Sequence, residues 1–156
     1  VVPLTARRPN VEGAGGVDLA ELVRNALRMR PDRIILGECR GAEVREVLLA
    51  MNTGHDGGMA TVHANSVAQV AARLEALAAL AGMARDAVAA QTAAALDVVL
   101  HVRRARGVRF LAEIGLVGRD DRGELEVRAA AWWDGEGPFD VDVAAWGELT
   151  RRYGPW

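Results

Sequence analysis

Two short stretches of this chain end apolar runs with a group suited to acid–base or phosphate chemistry. In "IILGECRG", residues 34–41, Gly37 and Glu38 follow Ile34, Ile35 and Leu36; in "MATVHANS", residues 59–66, His63 closes a second short run. A carboxylate at a strand tip can hold a water, or a magnesium-bound water, in line with the terminal phosphate of a nucleoside triphosphate. Gly37 lets backbone or phosphate come close. An imidazole at a neighbouring tip can donate to that phosphate or report its loss, because its charge is tunable near neutral pH. Ligands in open α/β sheets gather beyond the carboxyl ends of the strands, so one helix between the two runs brings Glu38 and His63 to the same rim. Taken alone, "GE" is more often a solvated loop opening and a lone histidine a structural hydrogen-bonder, which is the reading for His55 in "GHDGG".

Other constellations carry less. A zinc site from Cys39, His55, Asp56 and His63 has no short paired spacing of the CxxC or HExxH kind behind it. Glycines 13, 15 and 16 suggest a phosphate-cradling loop, but the P-loop pattern GxxxxGK[ST] needs a lysine to reach the β and γ phosphates. All nineteen basic residues are arginine. "GAGG" therefore reads as a flexible approach to a helix. Arg7, Arg8, Arg24, Arg28, Arg30, Arg33 and Arg40 crowd the first quarter, and guanidinium groups suit phosphate clamping or pairing across a subunit interface. Most of them, individually, read as solvated surface.

The elements that must position Glu38 and His63 follow from periodicity. Val1 to Thr5 reads as the end of a strand, and "ARRPNVEGAGG" as a loop. Asp18 with Glu21 predicts a capping box for a helix whose apolar face is Leu19, Leu22, Val23, Ala26 and Leu27, ended by Pro31. Arg33 to Gly37 suits a strand buried inside a parallel sheet. Val44, Val47, Leu48 and Met51 predict the next helix, and Met59 to His63 the next strand. Ser66 and Gln69 are expected to cap a helix built on Val67, Val70, Ala71, Leu74 and Leu77. Gly82 divides it from an alanine-rich helix near residues 85–95. From Asp97 the period changes to two, and "DVVLHV", "VRFLAEIGLV" and "ELEVRAAAWW" predict three antiparallel strands. Beyond Trp133 the expectation is a mostly irregular tail with one short helical turn. The fold class is α/β: a parallel sheet flanked by helices with a C-terminal antiparallel extension, divided at residues 1–118 and 119–156.

Composition bounds the function. With 156 residues, 51% hydrophobic, the chain can bury one sizeable core. A net charge of −2 provides no basic field for nonspecific nucleic-acid binding, so no nucleic-acid partner is expected. One cysteine cannot form an internal disulfide, and no cationic, then apolar, then small-residue leader opens the chain. The cytoplasm is the expected address. The stretch from Ala87 to Val102 is interrupted by Gln91, Thr92, Asp97 and His101 and too short to cross a bilayer, so no direct membrane insertion is expected.

Three blocks, "RRPNVEGAGG", "LRMRPDRIILGECRGAE" and "AMNTGHDGGMATVHANS", together resemble the secretion traffic ATPases of type II and type IV systems, most nearly the tight-adherence (Tad) pilus motors. The resemblance runs from about Val1 to Val117. It implies part of a RecA-like P-loop NTPase core that works as a homo-hexamer with ATP and Mg2+, cytoplasmic and peripheral to the inner membrane through platform proteins. "GECRG" then corresponds to the Walker B segment, with Glu38 activating water and supporting magnesium through water. "TGHDGGMATVHANS" corresponds to the histidine box, with His63 near the γ-phosphate. Arg40 resembles an arginine supporting this edge of the site, and Arg7 falls in the arginine-bearing segment before the glycines. Where "RPPN" is commoner, this chain reads Arg7-Arg8-Pro9-Asn10. The family's P-loop, aspartate box and N-terminal domain are expected before Val1.

The leading expectation is therefore the C-terminal part of a secretion ATPase, inactive alone because the P-loop amides and lysine are not among these residues. The alternative is a noncatalytic interaction module that associates with a complete motor ring. A nucleic-acid motor of the wider RecA-like class fits the charge poorly. The loss of a central strand from the parallel sheet would leave exposed edges and a marginally stable chain.

Overall fold

The protein is described here by a computed structural model covering residues 1–55 and 57–154. Among the described residues, five α-helices and two sheets form a main core and a smaller second cluster. α1 spans Leu19–Arg28, and Asp18 Oδ1 accepts a hydrogen bond from the Glu21 backbone N–H at 2.7 Å. The cap forms through the aspartate side alone. Val23 is buried, and Leu19 and Leu27 pack partly buried against the same core.

β1 (Ile35–Leu36) pairs in parallel with β2 (Met59–Ala60), with Ile35 opposite Met59 and Leu36 opposite Ala60. Between them runs α2 (Val44–Met51), whose Val44, Val47, Leu48, Ala50 and Met51 are buried. The crossover is the βαβ arrangement expected of parallel strands. The two strands are shorter than their apolar runs, and the expectation of a fully buried sheet interior is corrected. Leu36 turns into the core at 8% exposure, but Ile35 and Met59 face outward at 68% and 59%. Two strands give only one face that helices of this chain cover. Val1–Thr5 forms no strand; the segment is exposed and has no ladder partner among the described residues.

A 3₁₀ turn at Val67–Gln69 leads into α3 (Val70–Leu80), and α4 (Arg85–Ala95) follows. The four-stranded antiparallel sheet has the order β3 (Val98–Ala105), β4 (Val108–Arg119), β5 (Leu125–Trp132) and β6 (Asp140–Val141). One face supplies Val117, Leu125 and Val127 to the main core beside α3 and α4, while Leu116 and Ala130 face away. Strand alternation makes the sheet two-sided.

The irregular tail expected beyond Trp133 is also corrected. α5 spans Val143–Tyr153, with Asp142 Oδ1 accepting from the Ala145 N–H at 2.8 Å. Ala145 and Leu149 are buried on Leu116 and Ala130, with Trp146 and Tyr153 beside them. The Tyr153 hydroxyl donates to Asp97 Oδ1 at 2.8 Å, and burial, then that bond, push its pKa up to about 12. The phenol is a stable donor at neutral pH. Gly147 in mid-helix and the flanking Pro138 and Pro155 obscure this helix in the sequence; the sheet's second apolar face supplies the reason it forms.

No helix among the described residues is long and apolar enough to cross a membrane. Leu48 and Leu49 make a direct test of the core, since they are neighbours on α2 at 1% and 53% exposure. Leu48→Ala is expected to lower unfolding stability by about 2–5 kcal/mol in urea titration. Leu49→Ala should change it by no more than about 0.5 kcal/mol.

Candidate functional site at the parallel strand tips

The parallel register extends past the two short strands through single bonds. The Cys39 N–H donates to the Thr61 carbonyl oxygen at 2.8 Å, and the Thr61 hydroxyl donates to the Gly37 carbonyl oxygen at 2.5 Å. These two bonds fasten the backbone on either side of Glu38 to the segment leading to His63. On the other flank, Glu43 Oε1 accepts from the backbone N–H groups of Arg40 at 2.6 Å and Gly41 at 3.0 Å. The loop from Gly37 to Gly41 is thereby held by its neighbours in space as well as by the chain.

The side chains of Glu38, Arg40 and His63 meet. Arg40 Nη2 lies 2.5 Å from Glu38 Oε2, and His63 Nε2 lies 2.6 Å from Glu38 Oε1. The imidazole lies against Oε1 at ion-pair distance, and that oxygen, shielded from solvent, has no further partner among the described residues. The Arg40 guanidinium, first through its hydrogen bond and then through its charge, holds the Glu38 carboxyl below its usual range; partial desolvation opposes this and His63 adds a smaller pull. Glu38 is therefore a carboxylate at neutral pH. One oxygen is held by a guanidinium, and the other borders an imidazole that is 79% exposed.

Cys39, between Glu38 and Arg40, points the opposite way into the core at 3% exposure. Burial and then the nearby Glu43 carboxylate push its thiol up to about 11. His55 Nδ1 lies 3.1 Å from the Ala50 carbonyl oxygen, while Asp56 lies outside the described residues. Cys39, His55 and His63 thus each have separate surroundings, and no cluster of three or more potential metal ligands occurs among the described residues.

Arg7 is not brought to this group. Its backbone pairs with Val17, and its Nε donates to the Gly15 carbonyl oxygen at 2.7 Å, closing the 7–17 loop on itself. No contact joins it to Glu38, Arg40 or His63 among the described residues. Gly15 at φ 74° provides the left-handed backbone that this closure uses. Thr61 and Glu43 are supports that the sequence motifs do not single out. Glu43 carries a visible signal, a carboxylate three residues after Arg40 reaching back as in a capping box; Thr61 carries none beyond its position in the histidine segment.

A family model described as "Type II/IV secretion system protein" matches residues 5–113. Two Mycobacterium tuberculosis proteins, provisionally named as conjugal transfer proteins, are 52% identical over 152 residues, which is 97% of this chain and 42% of theirs. The conjugal transfer protein TrbB of Rhizobium radiobacter is 37% identical over 98 residues, 63% of this chain and 30% of its own. Among solved structures, the VirB11 ATPase of the Brucella suis type IV secretion system, in complex with sulphate, is similar with TM-score 0.59 and 28% identity, covering 64% of this chain and 32% of that one. The chain thus spans under half the length of the relatives it matches.

Two measurements probe the site's electrostatics. Because the Cys39 pKa is raised from 9.0 to about 11, native thiol labelling at pH 8 should be slower than labelling in denaturant by about 10²-fold. Equal rates would contradict the packing. Arg40→Ala should raise the Glu38 pKa, read by carboxyl NMR. The pairing stabilises the fold above the unfolded carboxyl's pKa and fades as pH falls through the lowered folded one, so the stability lost on Arg40→Ala should shrink in acid. On the matched family model and these relatives, the chain belongs to the Type II/IV secretion system protein family.

Proposed function

We propose that this chain is the C-terminal part of a secretion ATPase that couples ATP hydrolysis to secretion or pilus assembly, and that Glu38 and His63 act together on the terminal phosphoryl group. The observation carrying this reading is the 2.6 Å approach of His63 Nε2 to Glu38 Oε1 at the tips of two parallel strands. Ligands bind at that end of parallel sheets. A carboxylate held ionised by Arg40, with only His63 against Oε1, is suited to orient a water and take its proton once the imidazole turns to the phosphate. His63, exposed beside it, is suited to donate to a phosphate oxygen and to feel its departure.

The residues fit a magnesium held through water. Arg40 occupies Glu38 Oε2 and His63 covers Oε1, so a metal-bound water would reach Oε1 once the imidazole turns to the phosphate, and Mg2+ characteristically keeps several waters and few protein ligands. Bound with ATP, magnesium would neutralise phosphate charge. Glu38 orients water, Arg40 fixes Glu38, and His63 borders the phosphate. Arg7 closes its own loop, and a nucleotide role for it would need the segment 7–17 to open.

The remainder of the reading rests on the family. A RecA-like core, a homo-hexameric ring, a cytoplasmic position and inner-membrane platform partners are what a secretion ATPase of this kind would have. The named relatives support a conjugal transfer or type IV secretion setting; the tight-adherence branch rests on the sequence blocks alone. These residues contain no lysine, and without that charge and the P-loop amides the β and γ phosphates lose their main electrostatic grip. The 156-residue chain is therefore proposed to be inactive by itself.

The test joins this chain behind the P-loop half of the Mycobacterium tuberculosis relative. That chimera should hydrolyse ATP with magnesium, Glu38→Gln should lower kcat by about 10²–10⁴-fold with KM largely kept, and the 156-residue chain should show no turnover. A folded chimera unaffected by Glu38→Gln, yet able to bind a complete motor ring, would favour the noncatalytic interaction module instead.

A further inference from the structure

The segment that carries His63 is fastened at both ends, and only one fastening belongs to the parallel strands. At its start, Thr61 is bonded to Gly37 and Cys39. At its end, Ser66 stands where a helix cap is expected, but its side chain makes no capping bond. The Val67 N–H donates instead to Glu113 Oε2 at 2.8 Å, a carboxylate 46 residues away on β4. His101 on β3 borders the same carboxylate, its Nδ1 2.7 Å from that oxygen but without the geometry of a hydrogen bond.

Packing makes this joint close. Val67 is fully buried at 0% exposure. Gly115, two residues along β4 from Glu113, lies directly against it, and a Cβ there would overlap the Val67 side chain. His101 and Glu113 are register partners on adjacent strands, so the antiparallel sheet supplies a seat for Val67 and an acceptor for its N–H.

We propose that Glu113 is a positioning residue for His63: by holding the Val67 N–H it fixes the far end of the strap from Thr61 to Val67 and so sets the imidazole against Glu38. The inference rests on the Glu38–His63 reading above and adds that the C-terminal sheet sets the site's geometry. A four-residue separation between His63 and Val67 is short enough to transmit the constraint, since an extended chain spans at most about 3.3–3.6 Å per residue. The side-chain oxygen matters here, not its charge. A glutamine in its place still offers an oxygen to the Val67 N–H, whereas an aspartate keeps the charge and withdraws it by one methylene.

The test reads the Glu38–His63 contact directly by NMR in the 156-residue chain without nucleotide. The His63 Hε1 resonance, identified by its loss in His63→Ala, is measured with and without Glu38→Gln in four backgrounds: unmodified, Glu113→Ala, Glu113→Asp and Glu113→Gln. The response to Glu38→Gln should fall by at least about half in the alanine and aspartate backgrounds and be kept in the glutamine background, a coupling that a double-mutant cycle isolates. If Glu113→Ala does not fold, the aspartate and glutamine pair decides. An equal response in all folded backgrounds would overturn the proposal, and so would retention in aspartate with loss in glutamine, which would assign the effect to charge pairing with His101. Because the readout uses no nucleotide, failure of the ATPase reading in the chimera would leave this result standing, and the reverse holds equally.

Discussion

The parallel register between Ile35 and Met59 is the constraint on which the site depends. Each strand is two residues long, so little of the register's definition comes from the ladder itself. It comes from Leu36, buried in the same core as α2, and from Thr61, whose hydroxyl and carbonyl continue the pairing on to Gly37 and Cys39. A slip of one residue would turn the alternating side chains to opposite faces. Leu36 would leave the core, and Glu38 and His63 would no longer share a rim. The burial of Leu36, Val44, Val47 and Leu48 therefore fixes a pair of polar side chains that are themselves mostly outside the core.

The electrostatics follow from that placement. Glu38 has Arg40 on one oxygen and His63 beside the other, an arrangement that keeps the acid ionised. Surface ion pairs of this exposure contribute little to stability, so the cluster is better understood as a chemical arrangement than as a staple for the fold. Cys39, one residue on, shows the contrast: the same turn of backbone sends a thiol into the core, where burial raises its pKa and lowers its reactivity. The outward face of the parallel pair leaves Ile35 and Met59 exposed.

Much of this architecture is legible in the amino-acid sequence. The apolar periods of Leu19 to Leu27 and of Val44 to Met51 locate α1 and α2, and "GECRG" and "HANS" mark the two polar strand tips. The departures have physical causes. At Arg33–Gly37 the strand is shorter than its apolar run suggests, because apolar content signals burial on two faces, and here neighbours cover only one. α5 is hidden by Gly147 and adjacent prolines, since its stability comes from Leu116, Ala130 and the Tyr153–Asp97 bond rather than from local propensity. Ser66 has the residue type of a cap, yet Glu113 supplies the bond from a distant strand. Arg7 has the chemistry to bind a nucleotide, while the structure closes it onto Gly15. Non-local partners of this kind leave no trace in spacing.

The proposal that Glu38 and His63 work as one unit on one phosphoryl group stands or falls on the coupling between them. In single-turnover ATP hydrolysis by the completed motor, Glu38→Gln combined with His63→Ala should slow the chemical step hardly more than the worse single change, because residues acting as a unit are strongly non-additive. Fully additive losses, with each substitution acting independently of the other, would contradict it.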